Sequence, residues 1–130
     1  MKILVSYDDE VRTSTLMDIA LRRAQQSDAY IFFVKTCDPD VPQEEIAEVE
    51  KKLNYHKEDF EQKGVKCETH LLIRGIAPGE DVVRFAKEKE VDEILYGMRK
   101  ESKVGKLVFG SNAQYIILEA HCPVLTVKSI

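Results

Sequence analysis

Hydrophobic residues fall into two kinds of segment that alternate along the whole chain. Short, nearly continuous apolar runs, such as ILVSY near the N-terminus, are typical of strands covered on both faces. Between them, apolar residues recur at intervals of three and four, as on one face of an amphipathic helix. The runs, together with the alternating segment VKCETHLLI, predict strands at residues 2–7, 29–35, 66–73, 92–97 and 123–128. The periodic segments predict helices at Thr13–Gln26, Pro42–Lys63, Gly79–Lys89 and Ser111–Ala120.

Regular alternation of five strands with four helices predicts an α/β fold, with a parallel sheet, right-handed crossovers and helices on both faces. Gly64 is placed to end the second helix, and Pro78 suits the first position of the third. Ligands of such sheets bind beyond the carboxyl ends of the strands, where the strand order reverses. Three segments are expected to meet there: Asp8–Glu10, Val34–Cys37 and Gly97–Ser111. A strand within residues 44–62 would contradict this fold.

Length and charge limit the classes of protein to consider. A chain of 130 residues is predicted to form one domain, residues 1–130. The formal net charge of −4 argues against a general nucleic-acid or anionic-membrane binder, so a site for anions must be local. The N-terminal MKILVSYDDE lacks the apolar core of a signal peptide, and no run approaches the roughly 20 apolar residues of a membrane span. We therefore expect a cytoplasmic protein that binds neither nucleic acid nor membrane.

The three cysteines give no sign of a disulfide framework or of a zinc site. Cys37, Cys67 and Cys122 are odd in number and include no Cys-x-x-Cys pair. Cys67 and His70 lie three positions apart in a predicted strand, which sends them to opposite faces. We expect inert, buried thiols and no metal ligands.

One basic segment stands out in this acidic chain: GMRKESKVGKLVFGSN, from Gly97 to Asn112. Gly97 is predicted to follow a strand directly, and Gly110-Ser111 opens a helix, so free backbone N–H groups and the helix dipole favour an anion there. Four cations reinforce the segment: Arg99, Lys100, Lys103 and Lys106. The alternative is a solvated loop in which Ser111 is an ordinary N-cap. A Walker loop is excluded, because Lys100 stands where its first glycine belongs.

Several motifs in this order resemble the universal stress protein (UspA) family over essentially the whole chain: ILVSYDD, RGIAPGEDVV, GMRKESKVGKLVFGSN and HCPVLTV. The resemblance implies an adenine nucleotide alpha hydrolase-like, Rossmann-like fold, an open five-stranded parallel sheet in the order 3-2-1-4-5. Family members that bind ATP carry Gly-x-x-Gly, nine residues and then Gly-Ser/Thr. Gly97, Gly110 and Ser111 match that pattern, whereas Lys100 replaces the second glycine.

By the same resemblance, a site for ATP, with Mg²⁺ as its companion ion, is implied. Asp8 would lie near the ribose and the backbone of Val34 would meet the adenine. The phosphates would lie against Gly97, Met98, Arg99, Lys100, Gly110, Ser111 and Asn112. Two departures oppose binding: Lys100 adds a Cβ where backbone should approach the phosphates, and Asp9-Glu10 add negative charge. A carboxylate at Asp8 could also simply cap the next helix.

Two functions are consistent with this resemblance, and Lys100 is the residue that distinguishes between them. The first is a dimeric, ATP-binding regulatory protein of the stress response that acts through unidentified protein partners; the second is an ATP-independent dimeric interaction protein of the same fold. An enzyme is not expected, because SYDDEVRTS has neither a Ser-Gly-Gly loop nor a His-x-x-His motif and no catalytic residues can be assigned, although weak ATP hydrolysis is left open. A homodimer is predicted through the last strand, since PVLTV is apolar on both faces and would lie at a sheet edge.

Overall fold

The computed structural model of the chain describes residues 1–99, 101–103, 106–108 and 110–129. For residues 101–103, 106–108 and 129 it describes the backbone alone. The elements in chain order are β1 (Lys2–Tyr7), α1 (Ser14–Ser27), β2 (Tyr30–Thr36), α2 (Gln43–Gln62), β3 (Cys67–Leu72), α3 (Pro78–Glu88), β4 (Glu93–Arg99), β5 (Glu101–Lys103), β6 (Lys106–Val108), α4 (Ser111–Glu119) and β7 (Val124–Ser129).

A five-stranded sheet in the order β3-β2-β1-β4-β7 forms the centre of the fold. All four strand pairings in it are parallel, and Leu4 in β1 lies opposite Phe32 in β2 and Ile94 in β4. The predicted fold class and strand order are confirmed. Residues 44–62 lie within α2, as the periodicity predicted.

Two apolar layers cover the two faces of this sheet. Ile3, Val5 and Phe33 pack with side chains from α1 and α2, and Phe33 meets Phe60 of α2 edge to face at 4.9 Å between ring centroids. Leu4 and Phe32 lie on the other face, with side chains from α3 and α4. Because successive strand residues point to opposite faces, continuous apolar runs were required to fill both layers.

The turns that glycine and proline predicted are confirmed. Gly64 has a φ of 80°, the left-handed conformation that follows the last turn of α2. Pro78 begins α3, where its missing N–H costs no hydrogen bond.

Two ion pairs, each between a buried carboxylate and a partly exposed guanidinium, fix α1 and α3 to neighbouring segments. Asp81 is 1% exposed and accepts a hydrogen bond from Arg74 Nε at 2.7 Å. Glu93, also buried, accepts from Arg23 Nε at 2.6 Å and from Nη2 at 2.5 Å. Each buried carboxylate therefore faces a guanidinium directly.

The segment after Gly97 differs from the predicted loop. β4 continues to Arg99, and β5 and β6 form an antiparallel pair in which Glu101 lies opposite Val108 and Lys103 opposite Lys106. Two strands of three residues are too short to produce a readable alternation, so the sequence showed only the glycines and cations. Lys100 and Gly105 lie outside the described residues.

Cys67 and His70 lie on opposite faces of β3, as predicted. Cys67 belongs to the layer under α2, whereas the ring of His70 lies 4.7 Å from that of Phe85 in α3. All three cysteines are free, but only Cys67 is buried; Cys37 and Cys122 are half-buried. Within the described ranges, no helix has the length and apolar character needed to span a bilayer.

Candidate functional site

A cavity of about 240 Å³ lies at the carboxyl ends of β1 and β2. The strand ends supply one wall, and the N-terminal half of α2 and the segment before α3 supply the others. Asp8, Lys35, Thr36, Cys37, Ile76, Pro78, Val82, Tyr96 and Asn112 are among the lining residues. The cavity therefore lies where the segments after the first and second strands were predicted to meet, and we call it the strand-end cavity.

Asp8 is held against β4 by its backbone and by both carboxylate oxygens. Its N–H donates to the carbonyl of Gly97 at 2.8 Å. Oδ1 accepts a hydrogen bond from the hydroxyl of Tyr96, and Oδ2 accepts from the backbone N–H of Arg99 at 3.2 Å. The alternative that Asp8 only caps the next helix is wrong, because α1 begins at Ser14 after an N-cap at Thr13.

Tyr96 supplies the buried donor in this arrangement. Its side chain is 4% exposed, and burial, together with the hydrogen bond to Asp8, raises the pKa of its phenol well above the ordinary value. The phenol therefore stays protonated at neutral pH and presents an O–H donor to Asp8.

Lys35 extends from the end of β2 to the end of β1. Its Nζ donates to the carbonyl of Tyr7 at 2.6 Å and to Asp9 Oδ1 at 3.2 Å, and lies 4.3 Å from the centroid of the Tyr7 ring. Burial and the nearby carboxylate of Asp9 raise the pKa of Tyr7 to about 12. The lysine thus joins the two strand ends and faces one carboxylate of the acidic segment after β1.

From the sequence, Asp9 and Glu10 were expected to repel a nucleotide. In the structure, each of these two carboxylates lies beside a cation. Asp9 faces Lys35, and Glu10 Oε2 lies 3.1 Å from Arg99 Nη1. Both carboxylate side chains are more than four-fifths exposed, so water screens them as well. Their repulsion of an anion at this site is correspondingly reduced.

The N-terminus of α4 lies beside Asp8. Gly110 is the N-cap of this helix and Ser111 is its first residue, so Ser111 is not the N-cap. A Cβ added at Gly110 would lie 3.9 Å from Asp8 Oδ2. Asn112 Oδ1 accepts a hydrogen bond from the backbone N–H of Gly79 at 3.0 Å, which joins the N-termini of α3 and α4. The backbone N–H groups that open α4 therefore face the same edge as the Asp8 carboxylate.

The remaining predicted residues are placed as follows. Gly97 lies within β4, opposite Tyr7 on one side and Val127 on the other, and Met98 is 2% exposed in the core. Val34 is fully buried and does not line the cavity, whereas Thr36 and Cys37 further along β2 do. Lys100 and the side chains of Lys103 and Lys106 lie outside what the structure describes.

Sequence reasoning missed Lys35, Tyr96 and the apolar wall from α2 and the segment before α3. A weak signal for Lys35 was present, since it is a charged residue at the end of the buried run YIFFV. Tyr96 had no comparable signal, because an aromatic residue in an apolar strand is common.

Comparison with known proteins identifies relatives of the whole chain. The model of the universal stress protein family matches residues 1–128. The structure of a universal stress protein from Archaeoglobus fulgidus is 33% identical, with 98% of each chain covered and a TM-score of 0.86. A universal stress protein from the same organism, solved in complex with dAMP, is 27% identical over 98% of each chain, with a TM-score of 0.80. A universal stress protein from Methanocaldococcus jannaschii is 39% identical over 72 residues, which are 55% of this chain and 41% of that protein.

Proposed function

Since the chain belongs to the universal stress protein family, we propose that it is a regulatory protein that binds an adenine nucleotide, ATP with Mg²⁺, at the strand-end cavity. The observation that carries this proposal is the convergence of the Asp8 carboxylate, Arg99 and the N-terminus of α4 at one edge of that cavity. The complex of the Archaeoglobus fulgidus relative with dAMP supports it. The protein then acts through protein partners rather than as an enzyme, in the cytoplasm.

Asp8 has the hydrogen-bonding capacity that a ribose needs. An ionised carboxylate has about four acceptor positions, and Tyr96 and Arg99 each occupy one of them. The remaining positions accept hydrogen bonds from ribose hydroxyls. Because Tyr96 and Arg99 fix the carboxylate, it does not need to reorient on binding.

The wall opposite Asp8 suits a flat base. Ile76, Pro78 and Val82 line it with apolar surface, and the backbone at Thr36 and Cys37 ends β2 beside them. Small-molecule sites typically combine apolar walls with a few fixed polar groups of this kind. The N–H of Cys37 already donates to the carbonyl of Leu72 at 2.9 Å, so we propose the backbone at Thr36, rather than at Val34, as the contact for adenine.

The charge of the lining favours a position for the phosphates outside the cavity. Among the described residues, its lining carries the carboxylates of Asp8, Asp9, Asp38 and Glu45 against the ammonium of Lys35 alone. The phosphates are therefore expected at the opening, where Arg99 and the N-terminus of α4 favour negative charge. Lys100 follows Arg99 in the sequence and is a further cation of this segment, and Lys100→Gly tests whether it binds phosphate or obstructs it.

Titration calorimetry with dAMP and with ATP tests this function, using Asp8→Asn and the matched control Asp18→Asn. Asp18 is an exposed residue of α1, so its substitution removes the same charge at a distance from the cavity. We expect the wild type and Asp18→Asn to bind equally, and Asp8→Asn to bind about tenfold more weakly or worse. Absence of heat at millimolar nucleotide in the wild type would favour the second function, an ATP-independent interaction protein.

We also propose a homodimer through β7. This strand ends the sheet, so the backbone groups on its outer side have no strand partner in the described chain. Leu125 in β7 is 39% exposed, and Tyr115, Ile117 and Leu118 of α4 are exposed nearby in sequence. An apolar edge strand of this kind favours pairing with a second copy.

A further inference from the structure

Lys35 is a buried charge whose carboxylate partner is almost fully exposed. Among the described residues, the buried charged side chains are Lys35, Asp81 and Glu93. The two carboxylates each face a guanidinium at 2.7 Å or less. Lys35 is 8% exposed at its side chain, but its carboxylate partner Asp9 is 91% exposed. Because water weakens the attraction between Lys35 and the exposed Asp9, a carboxylate that is shielded from water would interact with this ammonium more strongly.

The side chain of Lys35 points away from the wall proposed for adenine. Ile31 and Phe33, at the alternate positions of β2, pack in the layer under α1 and α2, and Lys35 follows them on the same face. Its ammonium accordingly lies over the ring of Tyr7, which also belongs to that layer.

A second cavity, of about 490 Å³, lies on this face between α2 and the segment that leads from β1 into α1. We call it the α1–α2 cavity. Its lining combines apolar and aromatic side chains with the buried ammonium of Lys35. The apolar and aromatic residues are Tyr7, Val11, Val49, Tyr55 and His56. Tyr7, Lys35 and Val49 also line the strand-end cavity, so the two cavities share a wall.

The walls of the α1–α2 cavity suit a flat, apolar ring. The rings of Tyr55 and His56 lie 5.7 Å apart in an edge-to-face arrangement, and Tyr55 leaves 68% of its surface in water. Burial lowers the pKa of His56, so its ring is neutral at physiological pH. A planar ligand would cover this aromatic surface, which is otherwise left exposed.

Lys35 makes the inner end of the cavity positively charged. The other charged residues that line it are exposed and of both signs: Asp9, Glu10, Glu48, Lys51 and Lys52. A ligand carboxylate would replace Asp9 as the partner of Lys35 at little cost, because the side chain of Asp9 is already almost fully hydrated.

We propose that the α1–α2 cavity is a second ligand site, which binds a small aromatic carboxylate through an ion pair with Lys35. The ring lies against Tyr7, Tyr55 and His56. This site is separate from the proposed nucleotide site and shares only the wall formed around Lys35.

Binding of 2-naphthoate and of its neutral counterpart 2-naphthalenemethanol tests the proposal, with calorimetry as the measurement. The wild type should bind the carboxylate at least about tenfold more tightly, because a charge-assisted hydrogen bond to Lys35 is available only to the anion. Lys35→Met should abolish this preference. Tyr55→Ala should weaken binding of both probes, whereas Ile73→Ala, at an exposed apolar residue that follows β3, should leave it unchanged.

A second measurement, on the wild type, tests the proposal even if Lys35→Met does not fold. In the wild type, 2-naphthoate should shift the NMR signals of the His56 ring and leave unchanged those of His121, whose Nε2 donates to the carbonyl of Val91 at 2.9 Å. Equal affinity for both probes would overturn the proposal, as would insensitivity to Tyr55→Ala. Displacement of the probe by ATP without any shift at His56 would also overturn it, since the probe would then lie in the strand-end cavity.

Discussion

The hydroxyl of Tyr96 donates a hydrogen bond to Asp8, and this contact ties the residue after β1 to the middle of β4. The backbone N–H of Arg99 holds the other carboxylate oxygen at 3.2 Å. The orientation of Asp8 is therefore set by a neighbouring strand rather than by the loop that carries it. Groups held in this way bind ligands with little loss of conformational freedom.

Substitution Tyr96→Phe should destabilise the protein by about 1–2 kcal/mol, because it removes one donor from the Asp8 carboxylate while the ring still fills the core. The loss is limited, since Asp8 keeps the N–H of Arg99 and is only half-buried. Urea denaturation measures the change, with Tyr115→Phe at an exposed position as the control. Equal stability of Tyr96→Phe and wild type would show that this hydrogen bond contributes nothing.

Alkylation of cysteines should report on the nucleotide site directly. Cys37 lines the strand-end cavity and Cys122 does not, and burial raises the pKa of both thiols, so both should react slowly at neutral pH. Saturating dAMP should slow iodoacetamide modification of Cys37 severalfold and leave Cys122 unaffected, as measured by mass spectrometry. If dAMP protects both thiols equally, or protects neither, the proposal that a nucleotide binds beside Cys37 is wrong.

Gly97 is required by close packing at the end of β1. A Cβ at this position would lie 3.0 Å from Leu16 Cδ2 and 3.0 Å from Tyr7 Cβ. We therefore expect Gly97→Ala to lower the free energy of unfolding by about 1–3 kcal/mol. Gly110→Ala is the control, because the nearest atom to its Cβ would be 3.9 Å away. Similar effects of the two substitutions on urea denaturation would show that the space around Gly97 is not limiting.

The fold was predictable because its apolar pattern is local. The central strands β1, β2 and β4 are buried on both faces and need continuous apolar runs, and those runs were visible in the sequence. The strand order came from the family resemblance, since the pattern says nothing about which strands are neighbours. The β5–β6 hairpin was missed because three-residue strands carry no measurable periodicity.

The site was predictable only in part. Asp8 was found because a carboxylate directly after the first strand is visible in the sequence. The contact of Tyr96 with Asp8 joins residues 88 positions apart, and it exists only because β1 and β4 are adjacent in the sheet. Lys35 became a candidate only once the structure showed how exposed its counter-ion is.

The stability of the protein should fall as the pH drops below 6.5, in part because of His56. Burial lowers the pKa of this histidine from its ordinary value of 6.5, so the unfolded chain binds a proton more readily than the folded one. Its contribution to stability is complete above 6.5 and is lost as the pH falls through the pKa of the folded state. Urea denaturation between pH 7 and pH 5 should show a smaller decline for His56→Gln than for the wild type. Identical slopes would show that His56 does not titrate differently on folding.

The proposed homodimer can be tested at the two edges of the sheet. Leu125 in β7 and Ile73, which follows β3, are 39% and 40% exposed and lie near opposite edges. Leu125→Glu would place a charge in the proposed contact, where it must be desolvated, whereas Ile73→Glu introduces the same charge at the edge that the proposal leaves in water. We expect sedimentation at micromolar concentration to give a dimer for the wild type and for Ile73→Glu, and a monomer for Leu125→Glu, with circular dichroism confirming that each is folded. A monomeric wild type would exclude the dimer, and dissociation by Ile73→Glu instead would place the contact at β3.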